Sequence, residues 1–163
     1  LGFDAQVAHD FAKQKKRGLS TYIKQSAKNF FKAYPYPFEL NINGRIINTD
    51  AFFISIANSN QFGNHFTIAP QASLHDGLLD IVVVNKMSKM RMIWTVLKQI
   101  RNGQVQMYED KKYLSNNIHY FQTKNLQVQH PAMAPLHIDG DPMDTAGTFE
   151  IEIIENAFKL IMP

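Results

Sequence analysis

The chain has 163 residues, enough for one domain with a real core. Apolar residues make up 45% and charged residues 19%, a balance that excludes a disordered chain. No apolar run approaches the roughly 20 residues that span a membrane as a helix, and the absence of cysteine removes both disulfides and thiolate chemistry.

The opening Leu1-Gly2-Phe3 carries no start Met, basic leader or cleavage site and reads as a cut end. The lack of cysteine fits a reducing compartment. The formal net charge is +3 but unevenly placed. Seven bases (Lys13, Lys15, Lys16, Arg17, Lys24, Lys28 and Lys32) fall in one stretch, with no acid between Asp10 and Glu39. Such a segment suits either a solvated helix face or an anionic lipid surface.

A short helix is expected over Gln6–Lys16, broken at Gly18. Leu19, Tyr22, Ile23, Ala27, Phe30, Phe31 and Tyr34 then recur at helical spacing, and Pro35 and Pro37 end that helix. Phe38 to Ile42 alternates as a strand and meets Asn43-Gly44, a strong hairpin signal. Arg45 to Ala57 returns, with a polar interruption expected at Asn48–Asp50. Leu78 to Val84 is a continuous apolar strand, expected to be buried on both faces. Ser88 is placed to cap a second helix, with Met90, Ile93, Trp94, Leu97 and Ile100 as its stripe and Gly103 as its stop. Short strands follow at Ile118–Gln122, Leu126–Gln129, Phe149–Ile154 and Phe158–Met162. With no repeat or linker, the pattern predicts one mainly β domain with a few helices (α+β), built around a sandwich-like sheet.

The common phosphate-loop, dinucleotide, zinc-protease and serine-hydrolase motifs are absent. The six histidines show no metal-ligand spacing. Two acidic turns remain. In Leu74-His75-Asp76-Gly77-Leu78-Leu79-Asp80, the Asp-Gly turn can aim carbonyls and the Asp76 carboxylate at one point, which suits Mg²⁺ as well as a plain turn into a strand. In Leu136-His137-Ile138-Asp139-Gly140-Asp141-Pro142, residues two apart in an extended segment share a face. Asp139 and Asp141 are therefore expected to project together as paired carboxylates, with Gly140 permitting close approach of a ligand. A polar turn between strands is the competing reading.

Taken in order, four blocks make the chain resemble the C-terminal domain of the diacylglycerol kinase and sphingosine kinase-like lipid kinases. They are Gly2-Phe3-Asp4-Ala5; Ala57-Asn58-Ser59-Asn60 with Gly63 and Ile68-Ala69-Pro70; Asp76-Gly77-Leu78-Leu79-Asp80; and Asp139-Gly140-Asp141-Pro142. The resemblance implies the β-sandwich-like second domain of the NAD kinase/diacylglycerol kinase-like superfamily. It also implies an N-terminal nucleotide-binding domain, in cis, whose G-G-D-G-T motif this chain lacks, so that the fragment alone is inactive. By the same resemblance Asp141 is the general base with Asp139 its partner, and Asn58, Gly63 and Gly140 lie on the nucleotide side. Asp76 binds Mg²⁺ with the carbonyls of Ser73 and Leu78, ATP brings a second Mg²⁺, and the acceptor is a lipid hydroxyl. The protein is then expected to be cytoplasmic and peripheral at a membrane through Lys13–Lys32. Two departures stand out: Asp141 replaces a Glu one methylene longer, and Gln61-Phe62-Gly63-Asn64 stands where the family has three glycines. They leave room for a non-catalytic lipid-binding or regulatory module. An NAD kinase relative is the other alternative. No nucleic-acid-binding framework is present.

Overall fold

The structure, a computed structural model, describes residues 1–14, 18–59, 68–69, 71–91, 117–130, 132–155 and 157, and of residues 19–24 the backbone only. Two helices lead: α1 (Phe3–Ala12) and α2 (Leu19–Lys32). Then come β1 (Tyr36–Ile42), β2 (Arg45–Ala57), β3 (Leu79–Asn85), β4 (Ile118–Thr123), β5 (Asn125–Gln129), β6 (Leu136–Ile138), β7 (Asp141–Met143) and β8 (Thr148–Glu152). Six strands form one antiparallel sheet in the order β4-β3-β2-β1-β5-β8, and β6 pairs with β7 as a separate hairpin. The mainly β, few-helix expectation is borne out.

The β1–β2 hairpin forms where Asn43-Gly44 predicted it, with Ile42 opposite Arg45. Asn43 (φ 51°) and Gly44 (φ 82°) both take left-handed conformations, as the tight hairpin turn requires. The Asn41 Oδ1 accepts the Gly44 N–H at 3.0 Å. The expected polar interruption of β2 does not occur. Asn48, Thr49 and Asp50 stay in register opposite Glu39, Phe38 and Pro37, because the ladder satisfies their backbone whatever their side chains do. The irregularity comes one step later, as a register shift between Ala51 and Phe53. It lets Ala51 and Ile54, three apart, enter the same core.

Strand β3 is buried on both faces, as its apolar run predicted. Leu79, Ile81 and Val83 join a core with Phe38, Leu40, Ile54, Leu126 and Val128. Val82 and Val84 join Phe52, Ala69 and Ala72 on the other side, with Phe30 of α2 against them. Burying each large aliphatic side chain contributes roughly 1.5–3 kcal/mol. A polar ring is buried against the first core: His130 is fully buried and stacks on Phe149 at 5.1 Å. Its Nδ1 accepts the Ala134 N–H at 3.0 Å, its Nε2 has no partner, and burial pushes its pKa down.

Helix α1 starts at Phe3, three residues earlier than the periodicity suggested, because the Gln6 N–H already reaches the Gly2 carbonyl at 3.0 Å. Gly2 enters along β2, bridging Phe53, with its N–H on the Pro135 carbonyl. Its φ is 93°, and a Cβ there would stand 2.5 Å from the Phe52 carbonyl oxygen, so only glycine fits. Helix α2 ends before Pro35, as expected. The Ser88 Oγ accepts the Arg91 N–H at 3.3 Å at the start of a helical turn over 89–91. The rest of that predicted helix and the Phe158–Met162 strand lie outside the described residues.

Candidate functional site

The second acidic turn is the tip of the β6–β7 hairpin. Ile138 pairs with Asp141, leaving Asp139 (φ 50°) and Gly140 (φ 90°) as a two-residue left-handed turn. That corrects the expectation for Asp139 and Asp141. The segment between them is a reversal and not an extended run, so strand alternation does not put their side chains on one face. Both are exposed. Asp139 tolerates the left-handed region better than most residues, and Gly140 accepts it freely.

The hairpin is fastened to α1. The Gly140 N–H donates to His137 Nδ1 at 3.0 Å, and His137 Nε2 lies 3.1 Å from Asp4 Oδ2. A ring nitrogen that accepts an amide proton carries none itself, so the proton sits on Nε2 and is donated to the carboxylate. The other Asp4 oxygen accepts the Ala5 N–H at 2.8 Å in the first turn of α1, where a carboxylate also complements the helix dipole. One helical stretch further on, His9 Nε2 contacts the Leu136 carbonyl at 2.8 Å. The Gly2-Phe3-Asp4-Ala5 and Asp139-Gly140-Asp141-Pro142 blocks, over a hundred residues apart in the chain, are thus one local structure.

The first acidic turn feeds β3. Asp76 Oδ1 accepts the Leu78 N–H at 3.0 Å, and Ser73 Oγ accepts the His75 N–H at 3.2 Å. Both are local side-chain turns that preshape the loop. Asp76 is exposed, whereas Asp80, on β3, is fully buried. The Asp80 Oδ1 accepts from Gln122 Nε2 at 3.1 Å across the β3–β4 pair, and its Oδ2 has no partner. Burial pushes the Asp80 carboxyl above the usual range; the Gln122 bond opposes this and the Asp76 charge adds to it. Glu155 lies against Gly77 and pairs with Lys124 at 3.1 Å. The Asp76 carboxylate and the turn's backbone carbonyls are oxygen donors, the kind a hard cation such as Mg²⁺ takes. Among the described residues no cluster of three or more His, Asp or Glu side chains could hold a metal unaided. No hydrogen bond or ion pair among the described residues joins the two turns.

A family model described as the YegS C-terminal NAD kinase beta sandwich-like domain matches residues 1–162. The chain belongs to this family. Among curated relatives, "Probable lipid kinase YegS-like" of Shewanella frigidimarina (strain NCIMB 400) is 28% identical, over 99% of this chain and 50% of its own length. The protein of the same description from Alcanivorax borkumensis is 25% identical, over 90% of this chain and 44% of its own. The chain therefore spans about half the length of the curated relatives it matches. A solved structure described as a "putative diacylglycerol kinase" from Bacillus anthracis str. Sterne superposes with a TM-score of 0.66 at 17% identity, covering 89% of this chain and 47% of that one. At that identity it supports the fold alone. The resemblance read from the four blocks, and the β-sandwich-like fold it implied, are both borne out.

Other nominated residues fall as follows within this YegS-type domain. Asn58 is exposed just past the end of β2, Ala69 is buried in the second core, and Gly63 lies outside the described residues. An open surface cavity of about 610 Å³ is lined by Asn41, Asn43, Gln127, Glu150, Glu152 and their neighbours and contains none of the nominated residues. In the basic segment, Lys13 pairs loosely with Asp10, and Lys28 and Lys32 are exposed beside Phe31 (69% exposed) and Tyr34 (78%). Lys89 Nζ donates to the Phe31 carbonyl, joining the 86–91 segment to the end of α2. Lys15, Lys16 and Arg17 lie outside the described residues, as does the side chain of Lys24. No helix among the described residues is long and apolar enough to cross a membrane. Sequence reasoning overlooked the Asp4–His137 pair. The signal available was that each sits inside or beside one of the recognised blocks.

Proposed function

We propose that this chain is the C-terminal half of an ATP-dependent lipid kinase, acting together with an N-terminal nucleotide-binding domain in the same polypeptide and inactive without it. The observation that carries the reading is the union of the Gly2–Ala5 and Asp139–Pro142 blocks through Asp4 and His137. Separate family signatures converge on one exposed acidic tip.

In this reading the Asp141 carboxylate takes the proton of the lipid hydroxyl as its oxygen attacks the γ-phosphorus, and the bond to the β-phosphate oxygen breaks to release ADP. Asp139 supplies a second carboxylate at the same exposed tip. Gly140, Asn58 and Gly63 border the nucleotide. Asp76, with the carbonyls of Ser73 and Leu78, holds a Mg²⁺ ion, which supplies positive charge to order the acidic lining of the cleft. The exposed Phe31 and Tyr34, flanked by Lys28 and Lys32, bring the domain to an anionic membrane surface where the lipid lies. The protein is then a cytoplasmic, peripheral enzyme of phospholipid metabolism.

The test is ATP-dependent phosphorylation of a panel of diacylglycerols, phosphatidylglycerol, sphingoid bases and undecaprenol by the full-length protein. NAD⁺ is included as an acceptor because the family description also names NAD kinase. A labelled lipid that disappears with Asp141→Asn, and falls with Asp76→Asn, supports the reading. Labelled NAD⁺ replaces it with a small-molecule kinase. No product from folded, Mg-ATP-binding protein replaces it with a lipid-binding module.

A further inference from the structure

We infer that His137, tethered by Asp4, is a positioning residue that sets where the Asp139–Asp141 turn stands relative to helix α1. The inference rests on the kinase reading only for its catalytic consequence.

The β6–β7 hairpin is a poor candidate for placing itself. Its strands are three residues each, it pairs with no other strand among the described residues, and its tip is exposed. Isolated two-stranded ribbons are marginal in water. Support comes from α1 at two levels. His9 holds the Leu136 carbonyl at the base, and Asp4 holds the His137 ring nearer the tip.

The ring does two jobs with two different nitrogens. Its Nδ1 lone pair receives the Gly140 N–H, in the middle of the turn, and its Nε2–H is aimed at a carboxylate that can only accept. Only one neutral tautomer satisfies both contacts, so the Asp4 carboxylate selects the ring state that can bind the turn. Asp4, His137 and Gly140 form a continuous bridge from helix to tip, and Asp141 follows Gly140 directly. Beside this bridge the Leu1 amino group stands 3.7 Å from Asp4 Oδ1. A proton acceptor displaced by about 1 Å loses on the order of 100-fold in rate. His137 thus governs the reaction without touching substrate.

Two measurements separate this from the kinase reading. The first uses this chain alone, by NMR. Long-range ¹H–¹⁵N spectra should show His137 Nδ1 unprotonated, and His137→Ala should speed Gly140 amide exchange about five-fold, the loss of one ordinary hydrogen bond. His137→Asn, whose amide oxygen stands near the Nδ1 position, should restore much of that protection. Asp4→Ala should resemble His137→Ala, and Asp4→Asn, which keeps an acceptor oxygen, should stay near wild type. The second uses the full-length enzyme: His137→Ala should lower kcat by up to about 100-fold, leave the KM for ATP and the melting temperature nearly unchanged, and be partly rescued by His137→Asn. A protonated Nδ1, or Gly140 exchange indifferent to His137, overturns the inference. So does a loosened turn with unchanged kcat in an enzyme whose wild type is active, which leaves the kinase reading standing. If wild type phosphorylates no acceptor, the kinase reading falls alone, and the exchange result still decides whether His137 positions the turn.

Discussion

The two Asp-Gly turns look alike in sequence and are built in opposite ways. Asp76-Gly77 leads into β3, the most deeply buried strand of the sheet, and is shaped by its own side chains: Asp76 on the Leu78 N–H and Ser73 on the His75 N–H. Asp139-Gly140 tips a hairpin outside the six-stranded sheet and is shaped from afar, by a histidine on its own strand held by an aspartate on α1. The first position is anchored by the core packing of β3; the second stands on polar contacts to α1, with only Leu136 at its base against the core. Under the proposed function, a cation site at the first turn would benefit from the rigidity of the sheet, and a residue at the second that meets a substrate would benefit from standing clear of it.

The contrast can be broken most forcefully at β3. Ile81 is fully buried beneath the first turn, and Ile81→Ala should lower unfolding free energy by about 2–5 kcal/mol, measured by urea denaturation of this chain. Gly140→Ala probes the other turn. A Cβ there meets nothing within 4 Å, so only backbone strain at φ 90° opposes it. The expected loss is about 1–2 kcal/mol, while activity of the full-length protein should fall far more than stability does. A loss as large as that of Ile81→Ala would mean that the hairpin is part of the folding core.

The smallest effect is a pH dependence confined to the first turn. The pKa of Asp80 is raised in the folded state, chiefly by burial. A raised folded pKa means that folding binds a proton, so the contribution is complete below the unfolded value and is lost as pH rises through the folded one. Asp80 should therefore make the chain less stable as pH climbs from about 4, by at most about 1.4 kcal/mol per unit. Asp80→Asn should keep the Gln122 contact, remove that slope and raise stability at neutral pH. Denaturation curves of the two proteins that stay parallel across this range would show that Asp80 does not titrate as its burial requires.

Much of this domain was legible from residue patterns. Alternation and Asn43-Gly44 located β1 and β2, the apolar run located β3, and proline located the end of α2, because each depends on local geometry or on burial that the residue itself prefers. The blocks around Asp76 and Asp139 were found as motifs. At Asp139–Asp141 two readings stand side by side, an extended run and a polar turn between strands, because both accept Asp-Gly-Asp; the pairing of Ile138 with Asp141 decides for the turn. The polar stretch Asn48–Asp50 misled for a related reason: side-chain polarity says nothing about a backbone already satisfied by a neighbouring strand.

The sequence by itself determined the family, the β-rich architecture and the two acidic turns, because periodicity, turn chemistry and ordered motifs are written in neighbouring residues. Only the tertiary structure decided how those turns are held. Gly2 must be glycine because Phe52 of β2 lies against it, Asp80 is buried opposite Gln122, and His137 reaches Asp4 across 133 positions of chain. Such contacts depend on which elements the sheet and helices bring together, and no local pattern encodes that.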